Sequence, residues 1–290
     1  MAIKNILIRG GTMEKFRLAL GQMDTREKLE DNLCQAEQMV REASKLGAEI
    51  IAFPEVYNVI DGSKTPPEKI PEGESTRILI QLAREYKMYI LNGSIGEENP
   101  NGGKKFNTSV LIDPAGNIVA KYRKLHLFDV DLPDGTKKRE SENIEHGNKI
   151  VHVETPLAHF GLSICYDIRF PELYRLLTLA GSELIFVPAN FTMATGKDHW
   201  EPLLRSRAIE NTVYIAAPAQ IGTKYGNHPS FGNSMIIDPW GTVIARAAEK
   251  ASVIFADIDL SYLKRVRALI PSVQNRRNDL YSLIETSDKK

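Results

Sequence analysis

Cysteine is scarce: Cys34 and Cys165 are the only two in 290 residues. That excludes a disulfide framework and predicts a reducing compartment, the cytoplasm. Long apolar runs are missing too. None approaches the roughly 18 residues of a membrane helix, and no charged n-region with an apolar h-region is evident. Net charge is zero, with 37 Lys plus Arg against 37 Asp plus Glu. Nothing therefore draws the chain electrostatically to nucleic acid or to an anionic membrane. The one locally basic stretch, Lys264, Arg265, Arg267, Arg276 and Arg277, reads as a solvated face or a subunit contact. No Cys/His spacing suits a metal. GxGxxG is absent, and TGKD at 195–198 lacks the upstream glycine and following Ser/Thr of a P-loop. Neither a metal nor a cofactor is expected.

What is present is ordinary globular composition, 42% hydrophobic and 26% charged, arranged in a pattern. FRLALGQM (16–23) reads as a strand. The segment 26–46 follows as a helix, with Leu29, Leu33, Ala36, Val40 and Ala43 on one face and Gly47 at its end. EIIAFPE (49–55) is a continuous apolar run, as for a strand covered on both faces. A helix at 74–86 and a strand at 88–95 extend the alternation. The segment TSVLIDPAGNIVAK (108–121) is a hairpin, its Asp-Pro-x-Gly turn set by proline and released by glycine.

The hairpin recurs. NSMIIDPWGTVIAR (233–246) matches it position for position, EIIAFPE parallels ELIFVPA (183–189), and ILNGSIG (90–96) resembles IAAPAQIG (215–222). LGQMD (20–24) weakly parallels SICYD (163–167). Two similar halves with no linker predict an α/β fold: a four-layer α-β-β-α sandwich with an internal pseudo-twofold repeat. We expect residues 13–290 to form a single domain, with 1–12, ahead of a second methionine, as an extension that is disordered or cloning-derived.

The repeat also filters for chemistry. Glu55 faces Ala189, Lys124 faces Glu249, and in this pairing Cys165 faces Gln22. Each has a bland reading alone: a core cysteine, a glutamate charging a helix start, a solvated lysine. Together, at strand ends, they suggest one site built from both halves. A cation lowers a thiol's pKa, and a glutamate within reach can take its proton. The thiolate can then attack an amide carbonyl, with Lys124 and the backbone N–H of Tyr166 as donors to the oxyanion. His126, close to Lys124, competes for the role of base but reads better as a structural hydrogen-bonder.

FPEVYN (53–58), YRKLHLFDVD (122–131) and CYDIRFPE (165–172) resemble the three signature blocks of the nitrilase, or carbon–nitrogen hydrolase, superfamily. The resemblance covers nearly the whole chain from about residue 16 and implies the α-β-β-α fold. By it, Glu55 is the general base, Lys124 the oxyanion-stabilising cation and Cys165 the nucleophile, with Glu140 as a supporting carboxylate. It also implies a homodimer or higher homo-oligomer, with the helices near the nucleophile and the C-terminal tail in the contact. Tyr166-Asp167 after the cysteine, rather than Trp-Glu, points to the amidase branches. FTMATGKDHWEPLLRSRAIEN (191–211) and QNRRNDLY (274–281) resemble the ω-amidase and deaminated-glutathione amidase branch. The expected activity is hydrolysis of a small linear carboxamide, such as the ω-amide of an α-keto acid, to acid and ammonia through a thioester. Alternatives are an N-carbamoyl amino acid or amine amidohydrolase, or a catalytically weak scaffold of the same fold. Tyr57, Asn58, Phe128 and Asn190 are the expected pocket residues. One departure stands out: after Asn58 the branch's Pro-Tyr is replaced, and Ile60-Asp61 stand nearby, where an acidic group is expected to repel a substrate carboxylate.

Overall fold

The computed structural model describes residues 13–62, 64–131, 137–224 and 226–286; the expected extension 1–12 lies outside them. The first half forms a sheet in which Lys15–Gln22, Ile50–Ala52 and Tyr89–Leu91 run parallel, followed by the antiparallel hairpin Lys105–Ile112 and Ile118–Arg123. The second half repeats it: His159–Leu162, Leu184–Phe186 and Tyr214–Ala217 run parallel, then Met235–Ile237 and Val243–Arg246 antiparallel. The strand Ser252–Asp259 returns to the first sheet and pairs with Lys15–Gln22 along its whole length. The expected strand at 88–95 is broken into Tyr89–Leu91 and Ile95–Glu97. Gly93 lies between them at φ 72°, against the Phe53 and Pro54 carbonyls, where no Cβ fits.

The pleat explains the layers. Leu18, Leu20, Ile50 and Ala52 point to the second sheet and share its core with Phe160, Leu162, Leu184 and Phe186; Phe16 and Phe160 meet edge-on across the gap. Their neighbours Ala19, Ile51 and Phe53 point the other way. There they meet α1 (Leu29–Lys45), through Leu33, Ala36, Val40 and Ala43, and α2 (Glu74–Tyr86), through Leu79, Leu82 and Ala83. Helices α3 (Pro171–Leu179) and α4 (Met193–Asn211) cover the second sheet with Leu173, Leu177, Trp200, Leu204 and Ala208. A fifth helix, α5 (Leu260–Leu269), follows the returning strand. The four-layer α-β-β-α sandwich is thus the observed fold. No helix among the described residues is long and apolar enough to cross a membrane.

The repeat is physical as well as textual. Asp113 Oδ1 accepts from the N–H groups of Ala115 and Asn117, and Asp238 Oδ1 from those of Trp240 and Thr242. Both hairpins shift register at matching residues, Leu111/Ile112 and Ile236/Ile237. One pairing needs correction. Leu20 sits opposite Ala52 as Leu162 sits opposite Phe186, and Ala52 and Phe186 occupy the same place in the repeat. Counting on from Leu20 and Leu162, Cys165 corresponds to Met23, not Gln22. The weak likeness of LGQMD to SICYD is one residue out of register, and in a strand that turns a side chain to the opposite face.

Candidate active site

Three strand exits converge at one end of the sandwich. After Ile50–Ala52 the chain continues as Phe53-Pro54-Glu55, where Val56 N–H donates to Ser94 Oγ (3.0 Å) and Tyr57 N–H to the Ser94 carbonyl (3.2 Å). These bonds fix the backbone that carries Glu55. Gln220 of the other half adds bonds from its Nε2 to the carbonyls of Glu55 and Val56. After His159–Leu162, Cys165 opens a 3₁₀ turn, Cys165–Arg169, with its own φ at 47° and its N–H bonded to the Pro188 carbonyl. Asp167 braces this turn, accepting from Ile164 N–H (2.8 Å) and Tyr122 Oη (2.7 Å). Lys124 follows the first hairpin, its N–H bonded to the Asn107 carbonyl.

Lys124 Nζ lies 2.9 Å from Glu55 Oε1 and 2.8 Å from Glu140 Oε2. Asn107 Nδ2 bridges the same two carboxylates, at 2.9 Å from Glu55 and 3.3 Å from Glu140. Glu55 Oε2 accepts from Asn190 N–H (2.9 Å), and Glu140 Oε2 from Phe128 N–H (2.7 Å). The Cys165 thiol adjoins this cluster, close enough for the Glu55 and Lys124 charges to act on its proton. All three of Glu55, Lys124 and Cys165 are buried.

Lys124 does lower the thiol's pKa, as expected, but it is outweighed. Burial pushes Cys165 well above its usual value, the Glu55 charge adds to that, and Lys124 offsets only part of it. For Glu55, burial acts upward, but the Lys124 charge and the hydrogen bonds from Lys124, Cys165 and Asn190 more than cancel it, leaving the carboxyl below its usual range. Lys124 loses affinity through burial and regains more from Glu140 and Glu55, so it stays charged. At rest the site holds a thiol, a carboxylate and an ammonium. The thiol stands beside a carboxylate of the kind that can accept its proton.

A cavity of about 480 Å³ opens onto this cluster, walled by Asn58, Asp61, Lys105, Phe128, Tyr166 and Asn190 among others. Residues 17–268 match the family described as Carbon-nitrogen hydrolase. The chain belongs to the carbon–nitrogen hydrolase family. Among its relatives, the omega-amidase NIT2 of Xenopus tropicalis is 44% identical over 94% of this chain and 99% of that protein. A deaminated glutathione amidase of Synechocystis is 42% identical over 91% and 99%. The crystal structure of the C. elegans NitFhit protein superposes with a TM-score of 0.84 at 35% identity, covering 94% of this chain and 68% of that one. This carbon–nitrogen hydrolase acts on carbon–nitrogen bonds other than peptide bonds.

Within this member of the family, Glu55, Lys124, Cys165 and Glu140 come together as the sequence suggests. Tyr166, second in the 3₁₀ turn, has an N–H outside the turn's own ladder, and its ring meets Phe128 edge-on. Asn58, Phe128 and Asn190 line the cavity. Tyr57 does not, and its expected place in the pocket is corrected: its ring stacks on Phe53 in the core against α1 and α2, and its hydroxyl donates to the Ser75 carbonyl. Alternation puts Tyr57 and Asn58 on opposite sides of the segment, and the pocket takes the asparagine. His126 is bonded to Asp167 (2.7 Å) and stacked on Phe170, a brace for the turn. Sequence reasoning missed Asn107. The repeat held the signal, since Asn107 stands opposite Gly232 in the hairpin match.

Proposed function

We propose that the enzyme is a cysteine-dependent amidase that converts a small linear carboxamide to its acid and ammonia, with ω-amidase-like specificity. Cys165 Sγ bonds to the amide carbon as the thiol proton passes to Glu55. The carbonyl oxygen, now an oxyanion, is held by the Lys124 ammonium and the Tyr166 N–H; each such donor is worth roughly 3 kcal/mol in the transition state. Collapse breaks the C–N bond, and Glu55 hands its proton to the departing nitrogen, releasing ammonia. Water then attacks the thioester, gives its proton to Glu55, and the sulfur leaves to recover that proton as the acid is formed. Glu140 keeps Lys124 charged and aimed, with Asn107 tying the two carboxylates.

The observation that carries this reading is the sharing of one buried carboxylate, Glu55, between an ammonium and a thiol whose own proton is held firmly. Relatives named omega-amidase and deaminated glutathione amidase support the substrate class. The need for a reduced Cys165 agrees with a reducing, cytoplasmic setting. Exposed apolar side chains on α3 (Leu179), α4 (Ile209) and the tail (Leu280, Tyr281, Ile284) suit a homodimer; light scattering should give twice the chain mass.

An ammonia-release screen tests the function, with α-ketoglutaramate, glutamine, asparagine, deaminated glutathione, aliphatic amides and N-carbamoyl amino acids. We expect turnover of α-ketoglutaramate that vanishes in Cys165→Ala. Turnover confined to the N-carbamoyl compounds would replace the amidase reading with carbamoyl hydrolysis.

A further inference from the structure

The wall of the cavity carries several cations, and most are occupied. Lys224 Nζ is held by Asp24, Gln220 and the carbonyls of Thr25 and Ile221. Arg139 is paired with Asp131. Lys138 comes from the hairpin Asp129–Asp131/Lys137–Arg139, which has no further strand partner. Lys105 is different. It is half-buried, and among the described residues its ammonium has no hydrogen bond or ion pair. Its stem lies along Gly96, whose missing Cβ would sit 3.3 Å from Lys105 Cδ. A side chain at 96 would crowd it.

Its place on the strand matters. Lys105 and Asn107 are two residues apart in Lys105–Ile112, so their side chains leave the same face about 6.6 Å apart. Asn107 touches Glu55 and Glu140, which marks the reacting end of the cavity. A linear chain of about five carbons, with bonds of about 1.5 Å, covers a similar distance. Asp61, expected to repel a carboxylate, is otherwise engaged. Its carboxylate accepts from Lys64 N–H (3.0 Å) and Thr65 N–H (2.6 Å). What remains of its charge acts on Lys105: burial lowers the lysine's pKa and Asp61 raises it again.

We propose that Lys105 is the carboxylate anchor of the cavity, binding the far end of a linear substrate of four to six carbons whose amide lies at Cys165, with Asp61 bracing its own loop. This rests on the amidase reading for the near end of the substrate and adds the far end. A half-buried, unpaired ammonium is costly unless a ligand completes it, and a carboxylate is the ligand of matching charge.

The test compares glutaramate with pentanamide, the uncharged amide of equal carbon count, in the wild type, Lys105→Met and Lys105→Arg. Wild type should prefer glutaramate. Lys105→Met should raise its KM at least tenfold and abolish the preference for glutaramate over pentanamide, with the circular dichroism of the wild type showing that the variant folds. Lys105→Arg should keep most of the preference. Equal losses on both amides, or no loss on glutaramate, would overturn the anchor. Glutarate binding by calorimetry needs no turnover. If the enzyme proved to hydrolyse only carbamoyl compounds, weaker glutarate binding in Lys105→Met would still uphold the anchor, and unchanged or absent binding would sink it.

Discussion

The two halves share a scaffold down to the aspartates that close their hairpins, yet they divide the chemistry unequally. The first half supplies Glu55, Asn107 and Lys124; the second supplies Cys165 and the Asn190 N–H that holds Glu55. Where one copy has a reactive group the other is inert: Ala189 opposite Glu55, Met23 opposite Cys165, exposed Glu249 opposite Lys124. Charged groups and thiol arrive on different sheets, so the cluster assembles only when the halves are packed. Gln220, reaching across to the Glu55 carbonyl and Thr25, is part of that joint.

Breaking the asymmetry where it is strongest should have the largest effect. Cys165→Ala and Glu55→Gln should each lower kcat for ammonia release by at least about 10³-fold, with the circular dichroism of the wild type retained. A residual rate within tenfold of wild type in either would remove that residue from the reaction. Lys124→Met should cost about 10²–10³ in kcat and, by leaving Glu55 and Glu140 uncompensated, about 3–5 kcal/mol in urea unfolding. Its counterpart Glu249→Gln should change neither beyond about 0.5 kcal/mol or its rate equivalent.

A smaller effect concerns pH. In the proposed mechanism Glu55 is ionised when it takes the thiol's proton, and its pKa is lowered from the ordinary value of 4.5. The acid limb of kcat/KM should therefore lie below pH 4.5, with activity falling as pH drops through the folded pKa. An acid limb well above that would point to a base other than Glu55. Smallest for catalysis, and sharpest as a contrast, is Glu97. It too is a buried carboxylate among cations, bonded to Thr108, Lys121 and Arg123, with its pKa lowered to about 2. Yet it does not line the cavity with Glu55. Glu97→Gln should cost about 2 kcal/mol of stability and leave kcat unchanged. Because its folded pKa is depressed, its stabilising effect is complete above pH 4.5 and is lost between there and about pH 2.

Much of this was legible in the sequence because burial and reactivity leave different marks. Apolar periodicity located the strands and both helices of the first half, and the Asp-Pro-x-Gly hairpins fixed the repeat. Repeat and family signatures together singled out Glu55, Lys124 and Cys165. What stayed hidden depends on side-chain direction and on cancellation of charge. Tyr57 and Asn58 are adjacent letters, and only the fold decides which faces the cavity. Pairing Cys165 with Gln22 erred by one residue because a short, weak match cannot set register. Lys124 lowers the Cys165 pKa as expected, but burial beside Glu55 outweighs it, a balance of distances that residue types do not carry. Asp61 reads as repulsive until the backbone N–H groups folded onto it are seen.

The backbone at Cys165 has a consequence of its own. At φ 47° an L-residue is strained by about 1–2 kcal/mol, and only glycine escapes. Cys165→Gly should therefore unfold at higher urea than Cys165→Ala, by about 1 kcal/mol, while both are inactive. Selection for a sturdier chain would drift this position toward glycine, and under the proposed mechanism selection for turnover holds it back. At this one residue the most durable form of the protein and the working form are different molecules.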